Sequence, residues 1–136
     1  MWLSKRIMQE QPEPDSATLG TVSIGGAEAA VVTDTEKRQA KLITPGGYCW
    51  KPSAADSVLI VKGNELYLTG QLMHGADELG EGEVRVYSLG ASVTLRNDGT
   101  IVLSGNVELA GSMEIMGDVL VRGDLTVLGR ITGVMA

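Results

Sequence analysis

The side chains that could do chemistry are few and lie far apart in the sequence. The chain has one His, His74, and one Cys, Cys49. An imidazole can act as a general base and a thiol as a nucleophile, but neither residue lies in a pattern with the partners that such catalysis requires. One His and one Cys are also too few for a tetrahedral zinc site within one chain. The sequence predicts that Cys49 is a small buried apolar residue and that His74 is a side chain of a loop or of the barrel edge.

An acidic segment at residues 75–82 is the other candidate site, because carboxylates bind cations. It contains Asp77, Glu78 and Glu81, whose spacing does not supply the alternating oxygen ligands that calcium sites use. We interpret it as a solvated loop. The sequence has no nucleophile elbow, phosphate-binding loop or pair of catalytic carboxylates. We therefore expect no catalytic, cofactor or metal site and no small-molecule substrate, and we do not expect an enzyme.

The composition excludes further classes of protein. The 136 residues include 11 Lys and Arg against 17 Asp and Glu, so the net charge is -6 at pH 7. Such an acidic chain, with few aromatic side chains to stack on bases, is a poor candidate for nucleic-acid binding. No stretch approaches the roughly 18 apolar residues of a membrane-spanning helix. The first six residues lack the apolar core of a signal peptide, so we expect no secretion by that route.

Glycine is in excess, and its placement is regular. Of 18 Gly, six recur every six residues from position 99 to position 129, and each is followed by a polar residue. Because six is an even number, strand alternation keeps the third and fifth residues of each unit on one face, whereas a helix would rotate them by about 240° per unit. We name residues 99–134 the glycine repeat and predict short strands that turn at each glycine. These repeat corners are Gly99, Gly105, Gly111, Gly117, Gly123 and Gly129.

The glycine repeat has one apolar face, which requires a partner to bury it. A single chain coiled as a left-handed hexapeptide helix is disfavoured, because six units supply only about two coils. Three chains wound around a common axis would instead form a closed prism about 30 Å long, with no free lateral edges. We therefore predict a homotrimer with an axial core. The eleven predicted core residues are Ile101, Leu103, Val107, Leu109, Met113, Ile115, Val119, Val121, Leu125, Val127 and Ile131.

Three domains are predicted along the chain. Residues 1–17 contain Pro12 and Pro14 between charged residues, which favours an extended N-terminal arm. Residues 18–90 alternate short apolar runs with turn residues, which predicts a small all-β barrel of the OB kind that includes the acidic loop. Its strands are expected at 19–24, 29–33, 39–44, 57–61 and 66–72. Residues 91–136 are expected to form the β-helical spike.

The order of these parts resembles a known family. The barrel segments at residues 19–22 and 47–58, the alternating segment at 82–88, and the entry into the repeat at 93–101 are similar to the phage baseplate assembly protein V family. These are the central spike proteins of contractile phage tails and related injection systems. The entry segment, which reads Val-Thr-Leu-Arg-Asn-Asp-Gly-Thr-Ile, is the most specific of the four.

The resemblance implies a structural virion protein that is assembled in the host cytoplasm. Its trimer would form a needle at the tip of the tail tube, attached to the baseplate hub, and would plug the tube and penetrate the host cell envelope mechanically. Members of the family often close the apex with a His-x-His pattern that binds iron. This chain has no His after position 74, so we expect no metal and an apolar tip formed by Val134, Met135 and Ala136 of three chains.

Two other functions are compatible with a hexapeptide repeat. A polymer-forming protein of the bactofilin kind has similar repeats, but it would devote more of the chain to them and would leave the barrel unexplained. A hexapeptide-repeat acyltransferase would require more coils and a catalytic His between subunits, and His74 lies outside the repeat. These alternatives predict filaments and an enzyme respectively, in place of a closed trimer.

Overall fold

The structure of the protein is a computed structural model that describes residues 16–33, 36–73 and 78–133. These residues form eight β-strands and no helix, which confirms the predicted all-β class. The chain divides into two compact units, of which the first ends at Glu78 and the second begins at Leu79. Within the described ranges, no helix is long and apolar enough to cross a membrane. The predicted arm lies outside these ranges up to residue 15, and so does His74.

The first unit is a closed five-stranded barrel in the order β1-β2-β3-β5-β4, with β4 pairing back to β1. All neighbouring strands are antiparallel except β3 and β5, which are parallel. Closure pairs both sides of every strand, so the barrel has no open edge. The strands are β1 Ala17–Ile24, β2 Ala29–Val32, β3 Glu36–Ile43, β4 Ser57–Lys62 and β5 Leu66–Gln71.

The barrel interior is filled by small and branched aliphatic side chains on alternate strand positions. Val58 and Ile60 on β4 are fully buried, and so is Leu68 on β5. The barrel is narrow at β1, where a Cβ on Gly20 would overlap Cδ1 of Ile60 and force that side chain to shift. The whole buried cluster is Val22, Ala29, Val31, Ala40, Val58, Ile60 and Leu68.

All five barrel strands lie where the sequence pattern predicts them, with shifts at their ends. β1 begins at Ala17, the last residue of the predicted arm, and β3 begins at Glu36 rather than at position 39. The prediction for Cys49 was wrong, because its side chain is exposed. The adjacent Trp50 packs against the barrel core instead.

The second unit contains an antiparallel three-stranded sheet in the order β6-β7-β8. Its strands are β6 Val84–Tyr87, β7 Ser92–Leu95 and β8 Ile101–Ser104. Because β6 pairs with β7, this unit begins at Leu79, earlier than position 91 where the spike was expected to begin. After β8, the described chain continues to residue 133 without a further strand.

Candidate assembly surface

A side-chain clip holds the start of β6 against the turn that leads into the glycine repeat. The Glu83 carboxylate accepts hydrogen bonds from the backbone N–H groups of Asn97 and Gly80, each at 2.9 Å. The Asn97 side-chain amide donates to the carbonyl oxygen of Glu81 at 2.7 Å. The bond from the Asn97 N–H, followed by that from Gly80, holds the pKa of Glu83 below its ordinary value of 4.5. The carboxylate therefore joins the turn before β6 to the turn between β7 and β8.

The turn itself is a compact β7–β8 connection. The N–H of Gly99 donates to the carbonyl of Arg96, and the N–H of Arg96 donates to the carbonyl of Thr100. Asp98 accepts from the Thr100 N–H at 2.9 Å, and this bond is the main reason that the pKa of Asp98 lies below its ordinary value. Gly99 has a φ of +90°, a conformation that L side chains rarely adopt. The positive φ at this position therefore explains why the first residue of the repeat is a glycine.

The chain bends at each glycine of the repeat, as the spacing predicts. Gly105 and Gly111 have φ values of +128° and +139°, which favour glycine. Gly117, Gly123 and Gly129 have no positive φ, and an added Cβ at any of the three would meet no atom within 4 Å. Neither the backbone conformation nor the space around them in one chain accounts for glycine at these three bends.

The eleven predicted core residues all lie exposed in the single chain. Ile101 and Leu103 lie on β8, and the others follow on the bent segment beyond it. The third residue of each of the six units is 64–69% exposed, and the fifth residue of the first five units is 44–56% exposed, so each unit repeats nearly the same environment. Met116 and Leu128, the residues just before two of the repeat glycines, are still more open, at 94% and 100%. Nothing in the described part of the chain covers the apolar face.

The backbone of the glycine repeat is as open as its apolar side chains. Among the described residues, no backbone hydrogen bond joins residues 106–133 to any other part of the chain. Extended backbone that is buried requires a partner for each N–H and C=O group. The segment therefore presents both unpaired backbone groups and an exposed apolar face. Strand pairing with another chain would give the backbone groups their partners and would cover the apolar face.

Other groups of possible chemical interest do not form a site. No cluster of three or more His, Cys, Asp or Glu that could hold a metal ion occurs in residues 16–33, 36–73 and 78–133. Lys41 and Glu65 form an ion pair at 2.6 Å on the exposed barrel surface, where such pairs contribute little. The predicted tip residues Val134, Met135 and Ala136 lie outside the described residues. The Glu83 clip was not predicted, because in the sequence Glu83 looks like one more acid beside the acidic loop.

No family model matches the chain, and a search of curated proteins found no similar sequence. The exposed face and open backbone of the glycine repeat are therefore the observations on which a function must rest.

Proposed function

We propose that the chain forms a homotrimer in which three glycine repeats wind around a common axis as an intertwined β-helix. The observation that carries this proposal is the periodic, exposed apolar face of residues 101–131. An isolated chain would leave these side chains in water, and burial of each is worth about 1.5–3 kcal/mol. A closed ring of three identical faces buries them without creating a free strand edge.

The open glycines give independent support. Gly117, Gly123 and Gly129 have space for a Cβ within their own chain and no positive φ. A backbone from another chain that passes close to each bend would leave no room for a Cβ, and this would explain why glycine recurs there. Two further copies of the chain would supply that backbone, and their strands would also pair with the unbonded N–H and C=O groups of residues 106–133.

We propose further that this trimer is the central spike at the tip of a contractile tail tube. The order of the parts along the chain supports this role. The first part is a closed barrel whose strand order β1-β2-β3-β5-β4 is that of an OB fold. The β6-β7-β8 sheet, held by the Glu83 hydrogen bonds, and then the glycine repeat follow it. In this role the barrels attach to the baseplate hub, and the needle plugs the tube and penetrates the host envelope. The action is mechanical, with no bond made or broken, and the protein is part of the virion.

Solution mass tests the trimer. A closed trimer has a mass of about 43 kDa, three times the 14.3 kDa of the chain, and it does not change with protein concentration. Light scattering after size-exclusion chromatography measures this directly. A monomer at micromolar concentration would overturn the proposal, and filaments in electron micrographs would favour a bactofilin-like polymer instead.

Labelling on intact particles tests the spike role separately. Antibodies against the barrel, applied to tails produced from the genome that encodes this chain, are expected to mark one end of each tail in electron micrographs. A label along the sheath, or its absence from purified tails that contain all their other parts, would refute the spike role even if the protein is a trimer.

A further inference from the structure

One face of the β6-β7-β8 sheet carries six aliphatic side chains in two cross-strand rows, and we call it the aliphatic face. Register partners on neighbouring strands project from the same side of a sheet, so all six share one face. They are 37–66% exposed. The rows are Val84–Leu95–Ile101 and Val86–Val93–Leu103.

The opposite face of this sheet is more closed in its middle row, although Tyr87 at its edge is 58% exposed. At its centre, Thr94 is only 5% exposed, and its hydroxyl accepts a hydrogen bond from Nε of Arg85 at 3.1 Å. Val93, the neighbour of Thr94 on the aliphatic face, is 37% exposed. The sheet therefore covers its polar centre and leaves its aliphatic side open, the reverse of the usual arrangement.

The aliphatic face is continuous with the core of the glycine repeat. Ile101 and Leu103 are the first two predicted core residues, and they also form the β8 end of the two rows. If they face the trimer axis, the rest of both rows faces the same way, because a cross-strand row cannot change sides. Other copies of this chain are then the partners that cover Val84, Val86, Val93 and Leu95.

We infer that the aliphatic faces of three copies pack together at the base of the needle and set the register of the three chains; this inference rests on the proposed trimer. The glycine repeat cannot set its own register, because a shift of one chain by six residues again places glycine beside glycine and apolar beside apolar. The sheet has no such repeat. A shifted chain would move its aliphatic face away from the other two and leave it in water.

Single-cysteine cross-linking reads the register. The native cysteine is first removed by Cys49→Ser. Two chains of different size are then made in this background, one with Leu109→Cys and the other with Ile115→Cys, and the two are expressed together. Three-fold symmetry places the same residue of each chain at one height, so oxidation with diamide is expected to join like positions only. A shift by one unit brings position 109 of one chain level with position 115 of another, and a disulfide between the unlike chains reports it.

The sheet is then perturbed in this background. Val86→Asn places an amide on the aliphatic face, and we expect the unlike disulfide to rise from background to an intensity similar to the like ones. The matched control is Tyr87→Asn, on the same strand but the opposite face and with a similar exposure of 58% against 52%, and it should give like disulfides only.

The outcomes separate this inference from the trimer itself. Like disulfides only, with an unchanged melting temperature in Val86→Asn, would overturn the inference while the trimer stands. If Val86→Asn yields monomers with a folded barrel and Tyr87→Asn yields trimers, the aliphatic face belongs to the interface. Val93→Ala guards against a misfolded variant, since it removes only two methyl groups and is expected to lower the melting temperature of the trimer. A monomeric parent protein would instead refute the proposed function.

Discussion

The barrel and the glycine repeat use similar aliphatic side chains and treat them in opposite ways. Ile60 and Leu68 have no exposure in the barrel, whereas Leu109 and Ile115 in the repeat are more than half exposed. Every barrel strand is paired on both sides, whereas residues 106–133 have no backbone partner among the described residues. The barrel core is therefore complete within one chain, whereas the apolar face of the repeat is not covered by any described residue.

The difference follows from how each segment turns. Short loops of the barrel reverse the chain, so that β2 pairs antiparallel with β1 and β5 pairs antiparallel with β4. The bends at the repeat glycines change the direction of the chain without bringing it back to pair with itself. A segment that never returns can gain strand pairing only from another chain. The barrel is thus expected to fold alone, and the repeat is expected to fold only on assembly.

The largest expected effect comes from a charge on the predicted axis. Ile115→Asp would place three carboxylates close together in an apolar core, where an unpaired charge is very costly. We expect complete loss of the trimer, measured by light scattering, while the circular dichroism of the barrel persists. Met116→Asp is the matched control, because Met116 is the next residue, is not one of the predicted core residues and is 94% exposed. If both variants form trimers equally well, Ile115 does not face the axis.

A cavity in the barrel should lower the stability of the barrel and leave the assembly of the repeat unchanged. Ile60→Ala removes a fully buried side chain and is expected to destabilise the barrel by about 2–5 kcal/mol. Because the barrel core lies within one chain, its thermal transition should shift by the same amount at any protein concentration. The dissociation of the repeat, in contrast, should depend on concentration. A single transition that moves as a whole would contradict the independence of the two regions.

Gly→Ala substitutions at open glycines should change stability in opposite directions in the barrel and in the repeat. Gly123 and the barrel-loop residue Gly46 both have space for a Cβ and no positive φ in the single chain. Gly→Ala at such a site ordinarily stabilises by about 0.4–1 kcal/mol, because it restricts the unfolded chain. We expect this at Gly46, whereas Gly123→Ala should destabilise the trimer by about 1–3 kcal/mol, as overpacking does. Melting temperatures of both variants give the answer, and stabilisation in both would mean that no neighbouring chain approaches Gly123.

The sequence predicted the features of this molecule that depend on local pattern. Turn residues and alternation located the barrel strands, and the six-residue spacing located the bends of the repeat. One error arose where a longer-range contact decides. Cys49 was predicted to be buried, but its neighbour Trp50 is the residue that packs against the barrel core, and the sequence pattern does not distinguish the two. The Glu83 clip joins residues 14 positions apart, a contact that no local pattern indicates.

The smallest expected effect concerns the pH dependence of that clip. The pKa of Glu83 in the folded chain lies below 4.5, so the clip contributes stability above that pH and loses it as the pH falls through the lower folded-state value. Glu83→Gln should remove this acid sensitivity and weaken the clip at neutral pH, because a neutral amide oxygen accepts less strongly than a carboxylate. Exchange of the Asn97 backbone amide, followed by NMR between about pH 6 and pH 3, measures the opening of the turn.

Glu108→Gln is the control for this measurement, since it removes the same charge from an exposed position in the repeat. The Asn97 amide should then become less protected as the pH falls in both the parent and Glu108→Gln, and should show no such step in Glu83→Gln. Barrel amides, such as that of Leu68, should exchange alike in all three proteins if the clip acts only on the second unit. Acid-induced exposure of Asn97 that persists in Glu83→Gln would assign the sensitivity to another carboxylate of the turn, of which Asp98 is the nearest in sequence, and the entry to the repeat would then be held mainly by its own hydrogen bonds.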